Sequence, residues 1–250
     1  MKKLCLDRNQ VFSGELILVN KDNPIREIIP YENICQIDKD IKVYLNKNVD
    51  YILKELLFEI GSTDEIAYVS GYRTLEEQIE IYNNSLNENG EDFTNKYVAL
   101  PGHSEHQTGF AIDLAKNNGD IDFIRPDFPN EGIYKEFREK APAFGFIERY
   151  IKEKERVTGI SAEPWHFRYV GFPHSKIITD KNMVLEEYIE FIKDFKYGKK
   201  SLIVKDKNLN IEISYICFES EKNLISIPDN SPYVISGNNV DGYILTLWRS

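Results

Sequence analysis

The chain has 250 residues, 42% of them hydrophobic and 12% aromatic, which is enough for a packed core and too many for a disordered chain. A formal charge of −10, with lysines interspersed among Asp and Glu, excludes the basic stripe that binds nucleic-acid phosphates. No apolar run approaches the ~20 residues of a membrane span, and Cys5, Cys35 and Cys217 form no CxxC pair, which excludes a disulfide framework and a thiolate zinc site.

The opening MKKLCLDRNQ is not expected to act as an export signal, because Asp7, Arg8, Asn9 and Gln10 interrupt it before an apolar core can form. With its unpaired cysteines, the chain is expected in the cytoplasm. Residues 12–19, FSGELILV, read as a strand, followed by a turn at Lys21-Asp22-Asn23-Pro24. Apolar positions 49, 52, 53, 56, 57 and 60 have helical spacing, with Asn48 as the cap and Gly61 as the stop. EIAYVSGYR predicts a strand ending at Gly71, and Thr74-Leu75-Glu76-Glu77 is a capping box that opens a helix stopped by Gly90. FAIDLA (110–115) reads as a short buried strand, and NEGIYKEFREKAPAFGF as a helix broken near Pro142. EPWHFRYVG is an aromatic-rich strand ended by Gly171 and Pro173, after which His174 begins a helix. MVLEEYIEFIKDFKYG is an amphipathic helix terminated by Gly198. Beyond Lys200, short β-branched runs separated by Asn, Asp, Lys and Gly read as strands. The expected fold class is therefore α+β, a small mixed or antiparallel sheet with flanking helices over residues 1–198, plus a β-rich appendage over 199–250.

The chain has four histidines, His103, His106, His166 and His174. A hydrolytic metal centre needs three protein ligands, an open fourth position, and a nearby carboxylate that is not a ligand. His106, Asp113 and His166 are candidate ligands, with His103 and His174 as competitors. Asp113 lies between Ile112 and Leu114, in a run apolar on both faces, where an ionised carboxylate needs a partner and a metal suffices. The plainer reading is a strand-edge aspartate turned to solvent. Glu163 precedes His166 by three residues, so on a regular strand the two point to opposite faces. They share one site only if the chain bulges near Pro164. Taken singly, each histidine is more often a surface or hydrogen-bonded residue than a metal ligand.

Three stretches in order, SGYR (70–73), SEHQTGFAID (104–113) and EPWHFRYVG (163–171), resemble the signature of the zinc D-alanyl-D-alanine peptidases of vancomycin resistance, the VanX, VanY and VanXY enzymes. Their pattern is SxHxxGxAxD followed by ExWH. The likeness spans about residues 68–172 and leaves the C-terminal strands outside it, while GELILVNKDNPI also resembles the N-terminal segment of VanY-like chains. It implies that His106, Asp113 and His166 bind one Zn²⁺ and that Glu163 is the general base. Arg73 would stabilise the oxyanion, in keeping with a permanently charged guanidinium rich in donors. Its plainer alternative is a surface ion pair with Glu76 or Glu77. Ser104 would hydrogen-bond the substrate carboxylate, and Gln78 would line the same cleft. Gly109 would let the backbone turn between ligands and Trp165 would pack beneath the site. His103 reads as a loop residue and His174 as structural.

The activity implied is removal of terminal D-alanine from D-Ala-D-Ala and from the peptidoglycan precursor ending in that dipeptide, the bifunctional VanXY activity that confers glycopeptide resistance. The partner is then a small peptide. Two other readings stand beside it: an L-alanyl-D-glutamate endopeptidase with the same metal pattern, and a non-catalytic, zinc-stabilised binding module. The acidic charge suits an anionic cell wall poorly, and a structural zinc site needs neither Glu163 nor Arg73.

Overall fold

The expected α+β mixture is what the chain adopts in a computed structural model that describes residues 1–27, 30–207, 209–219 and 222–249. In chain order the elements are β1 (Lys2–Asp7), β2 (Ile34–Asp38), β3 (Ile41–Asn46), α1 (Lys47–Glu59), β4 (Ile66–Ser70), α2 (Leu75–Asn89), α3 (Glu91–Tyr97), β5 (Ala111–Lys116), α4 (Gly132–Lys140), β6 (Phe146–Tyr150), α5 (Glu155–Thr158), β7 (Glu163–Tyr169), α6 (His174–Asp180) and α7 (Leu185–Ile192). Strands β8 (Leu202–Asp206), β9 (Leu209–Cys217), β10 (Lys222–Ile227), β11 (Tyr233–Gly237) and β12 (Gly242–Arg249) complete it.

Two units form. Val19–Val184 is one; Met1–Leu18 together with Leu185–Ser250 is the other. The sequence divides the chain near residue 198, whereas here residues 1–18 and 185–198 lie with the C-terminal strands. The reason is pairing: β1 runs antiparallel to β10, and the Tyr197 N–H donates to the Tyr215 carbonyl at 2.8 Å. That second unit holds a sheet in the order β11-β12-β9-β8, over a core that includes Leu6, Ile227, Tyr243 and Leu245.

Two sequence expectations fail inside this second unit. Residues 13–18 form no strand, because Leu16, Ile17 and Leu18 are all buried and their backbone is satisfied one group at a time. Leu16 N–H donates to Ser236 Oγ, Leu18 N–H to the Asn238 carbonyl, and Asn239 Nδ2 to the Leu18 carbonyl. Likewise α7 stops at Ile192 rather than Gly198, since Lys196 and Tyr197 leave the helix to pair with Tyr215.

The unit Val19–Val184 carries the sequence motifs. Its antiparallel sheet has the order β4-β5-β7-β6, which makes β5 and β7 the central strands. Against it packs α1, whose Val49, Leu53 and Leu56 are fully buried, each contributing roughly 1.5–3 kcal/mol. Asn46, not Asn48, caps this helix, accepting from the Asn48 N–H at 3.0 Å. Phe128, Phe137 and Phe167 meet edge-to-face with centroids 4.8–5.7 Å apart. The β2–β3 hairpin was not read from the sequence, and it buttresses the motif turn: the Asn46 N–H donates to the Gly109 carbonyl at 3.0 Å.

Gly109 closes a 3-10 turn over Glu105–Thr108 with φ +67°, and a Cβ there would come within 2.8 Å of Ile34 Cδ1. Both the left-handed backbone and the contact disfavour a side chain. Gly109→Ala should therefore lower stability by roughly 1–3 kcal/mol, read as a fall in Tm in thermal unfolding.

Candidate metal centre and cleft

Three chain segments bring the motif residues together. The β4 strand ends at Ser70, and the chain turns through Gly71 and Arg73 into the capping box, where Thr74 Oγ1 accepts from the Glu77 N–H at 3.2 Å and Glu77 Oε2 from the Thr74 N–H at 2.8 Å. His106 sits in the Glu105–Thr108 turn just before β5. Asp113 lies in mid-β5, opposite Ser70 on one side and His166 on the other, so it is a central residue rather than an edge one.

The bulge expected near Pro164 is present. Glu148 pairs with Phe167 and Tyr150 with Glu163, so Arg149 alone on β6 faces Pro164, Trp165 and His166 on β7. These extra residues let Glu163 and His166 turn to one site, with Glu163 Oε2 3.9 Å from His166 Nδ1. Arg138 secures the distortion, donating to the Pro164 carbonyl at 2.9 Å and to Glu148 Oε2 at 2.9 Å.

Asp113 stands between the imidazoles. Oδ2 is 3.1 Å from His106 Nε2 and Oδ1 is 2.8 Å from His166 Nδ1. The other nitrogen of each ring is already committed. His106 Nδ1 lies 2.7 Å from the Gly71 carbonyl, which can only accept, so this nitrogen bears the proton. His166 Nε2 lies 3.3 Å from Glu105 Oε2. In their neutral tautomers both rings thus aim a lone pair at a carboxylate oxygen. Only a cation or an added proton between them relieves that opposition. The ligand atoms of His106, Asp113 and His166 lie within 4.8 Å of one another and all three residues are buried, a donor set that fits one divalent ion with a position left open.

Protonation follows from burial and partners. Burial pushes His106 down, towards the neutral form. For His166 burial also acts downward, but its hydrogen bonds to Asp113 and Glu105 outweigh it and raise the ring to about 10. Burial raises Glu163 to about 8, with Asp113 and Glu105 adding to the effect against the pull of His166 and Arg73. Asp113 stays ionised, its histidine contacts outweighing burial.

One residue in this network escaped the sequence reading. Glu105 is fully buried, with Oε1 2.8 Å from Arg149 Nε and 3.0 Å from Arg168 Nη1, and these two arginines hold it well below the usual carboxylate range against the effect of burial. It is an ionised acceptor that fixes the tautomer of His166. The signal was available in Arg149 and Arg168, cations inside the apolar strands FIERY and EPWHFRY that require a buried counter-charge.

The cleft beside the cluster is open to solvent, spans about 610 Å³ and is lined by His106, Asp113, Glu163, His166, Arg73 and Trp165, with Tyr97, Phe123 and Ile124 among its apolar walls. Trp165 is thus a wall of the cleft. The Arg73 guanidinium faces this cleft, held by Gln78 Oε1 at 2.7 Å and Ser70 Oγ at 2.8 Å, and not by Glu76 or Glu77. Gln78 is buried, and its Nε2 donates to the Ala99 carbonyl at 2.7 Å. Neither Gln78 nor Ser104, which is 3% exposed, belongs to the lining of this cleft. His174 is buried at the start of α6 and kept neutral, its pKa pushed to about 3 by burial, and His103 lies in the loop before the motif turn.

Residues 42–172 match the VanY family model, D-alanyl-D-alanine carboxypeptidase. The chain is 42% identical over 179 residues to the bifunctional D-Ala-D-Ala dipeptidase and D-Ala-D-Ala carboxypeptidase VanXYC of Enterococcus gallinarum, covering 71% of this chain and 94% of that protein. Among solved structures it is similar to the vancomycin-resistance D,D-dipeptidase VanXYg in complex with a D-Ala-D-Ala phosphinate analogue, at 48% identity, TM-score 0.96 and 99% coverage of both chains. It is also similar to a mutant of the D,D-pentapeptidase VanY of a VanB-type resistance cassette in complex with Zn(II), at 32% identity and TM-score 0.58, over 70% of this chain and 98% of that one.

Two outcomes follow from the charges. Both His166 and Glu163 bind a proton more tightly folded than unfolded. His166 therefore contributes stability that is complete below about 6.5 and lost as pH rises through about 10, and Glu163 destabilises the fold increasingly from about 4.3 up to about 8. In the presence of chelator, Tm should fall as pH is raised from about 6.5 to about 8, and excess divalent cation should flatten that fall. Glu105→Ala removes the buried counter-charge shared by Arg149 and Arg168 and should cost roughly 3–5 kcal/mol in denaturant unfolding.

Proposed function

Since the chain belongs to the VanY family of D-alanyl-D-alanine carboxypeptidases, we propose that it is a zinc-dependent D,D-peptidase of the bifunctional kind, removing D-alanine from free D-Ala-D-Ala and from longer peptides that end in it. The observation that carries this reading is the convergence of His106 Nε2 and His166 Nδ1 on the two oxygens of Asp113, with Glu163 and Arg73 on the same cleft.

His106, Asp113 and His166 hold one Zn²⁺ per chain. When bound, zinc supplies a Lewis acid for the scissile carbonyl and lowers the pKa of a water to about 7. Glu163 takes the proton of the attacking water and hands it to the leaving amine. Burial among carboxylates makes Glu163 a strong enough base for the first transfer, and its protonated form an acid available for the second. Arg73 donates to the oxyanion that develops as the carbonyl carbon becomes tetrahedral. Gln78 and Ser70 hold that guanidinium in place, so Gln78 acts through Arg73 rather than on the substrate. Ser104 is kept as a substrate contact only through the motif resemblance.

A peptidase acting on cytosolic peptidoglycan precursors, and so conferring vancomycin resistance, works in the cytoplasm. Three free cysteines support that location, and no helix of the described residues is long and apolar enough to cross a membrane. Neither the endopeptidase nor the binding-module reading gains a supporting observation, and the latter leaves Glu163 and Arg73 without a purpose.

The test uses D-alanine release from the dipeptide and from a pentapeptide ending in D-Ala-D-Ala. Glu163→Ala should retain stoichiometric zinc and lose turnover by at least 10²-fold, whereas His106→Ala and His166→Ala should lose zinc as measured by metal analysis. Release of D-alanine from neither substrate by the zinc-loaded protein would refute the assignment.

A further inference from the structure

Most side chains of the site are held by a partner, and Glu163 is not. His166 is braced by Asp113 at 2.8 Å and Glu105 at 3.3 Å, and Arg73 by Gln78 and Ser70. The Glu163 carboxylate accepts no hydrogen bond among the described residues, and its approach to His166 Nδ1 is 3.9 Å. A side chain without such a partner goes where its backbone and its packing direct it. The placement of Glu163 therefore depends on the bulge that separates it from His166.

That bulge contains a residue the sheet leaves unpaired. Neither ladder of β7 gives Pro164 a partner: β5 pairs only with His166–Arg168, and the β6 register passes from Phe167 to Glu163. Proline has no N–H, so its carbonyl is the one backbone group by which it can be held. Arg138 Nη2 takes that carbonyl at 2.9 Å. The same guanidinium donates to the carbonyls of Phe128 at 2.6 Å and Pro129 at 2.5 Å, shortly after Phe123 and Ile124, which wall the cleft. Its Nε donates to Glu148 Oε2 at 2.9 Å, which orients the planar fork. Arg138 thus joins the bulge to the cleft-wall segment, while neither it nor Glu148 lines the cleft.

We propose that Arg138, oriented by Glu148, is a positioning residue for catalysis: by holding the Pro164 carbonyl it sets Glu163 against the metal site, and it acts through Glu163. The inference rests on the D,D-peptidase reading above and adds to it a pair of residues that touch neither metal nor substrate. His106, Asp113 and His166 keep their own contacts without Arg138, so the metal site does not depend on it.

The test follows D-alanine release from D-Ala-D-Ala by zinc-loaded protein. Arg138→Lys keeps the charge and loses the fork. Its kcat should fall roughly ten- to hundredfold, with KM within roughly twofold of wild type. Metal analysis should still find stoichiometric zinc. Glu148→Gln weakens only the orienting bond and should lower kcat by roughly three- to tenfold. In a Glu163→Ala background, Arg138→Lys should cost nothing further, because the base it places is gone. An unchanged kcat in Arg138→Lys overturns the proposal. So does loss of zinc, or an equal loss of kcat in the Glu163→Ala background, either of which marks a general loosening of the fold. Should Arg138→Lys fail to fold, Glu148→Gln carries the same comparison in both backgrounds. Zinc-loaded wild type that releases no D-alanine sinks the peptidase reading and this one with it.

Discussion

Everything in the site turns on one carboxylate set against two imidazoles whose outer nitrogens are already taken. The Gly71 carbonyl claims the Nδ1 proton of His106, and ionised Glu105 claims the Nε2 proton of His166. With both rings neutral, what remains is two lone pairs directed at the oxygens of Asp113, an opposition that a proton on His166 or a cation between the groups removes. Such an arrangement is unfavourable in a buried, low-dielectric setting unless positive charge lies between the groups. The fold accepts this opposition because surrounding contacts over-determine it. Asp113 is held between two neighbours in the ladder, His106 is gripped by a turn, and His166 is braced by a buried carboxylate between two arginines.

The same contacts divide the labour between the two carboxylates that face the site. Asp113 and Glu163 are both buried, yet they are pushed in opposite directions. Asp113 touches both imidazoles and stays ionised, as a ligand must. Glu163 stands 3.9 Å from His166 and makes no comparably close contact with a cation, so burial prevails and raises its pKa to about 8. A difference of this kind between neighbouring acids is how one site separates a permanently charged group from one that exchanges protons near neutral pH. The separation depends on the β7 bulge. Without the two extra residues, Glu163 and His166 would face opposite sides of the sheet.

How much of this was legible in the sequence depends on the range of the interaction. Most local signals were accurate, the cap of α1 being displaced from Asn48 to Asn46. The capping box at Thr74, the stop at Gly90, the strand around Asp113 and the break near Pro142 are each decided by residues a few positions apart. The need for a bulge at Pro164 was readable too, because strand alternation and a shared site contradict each other. What was not legible is long-range satisfaction of backbone groups. Nothing in FSGELILV distinguishes a strand from an extended segment whose partners are a serine hydroxyl and an asparagine amide more than two hundred residues away. The β2–β3 hairpin and its bond to Gly109 are of this type as well.

Glu105 shows the intermediate case. Its neighbours in SEHQ say nothing about its role, since the motif reads the position as variable. The information lay in Arg149 and Arg168, each flanked by aromatic or aliphatic residues in a strand, where a guanidinium survives only against an anion. Two such cations in adjacent strands of one sheet call for a shared carboxylate, and a carboxylate spare enough to serve both is free to hold a third group. That third group is His166. A buried charge in an apolar strand is therefore better read as half of a network than as a defect, and the missing half is to be sought beside the candidate ligands rather than among them.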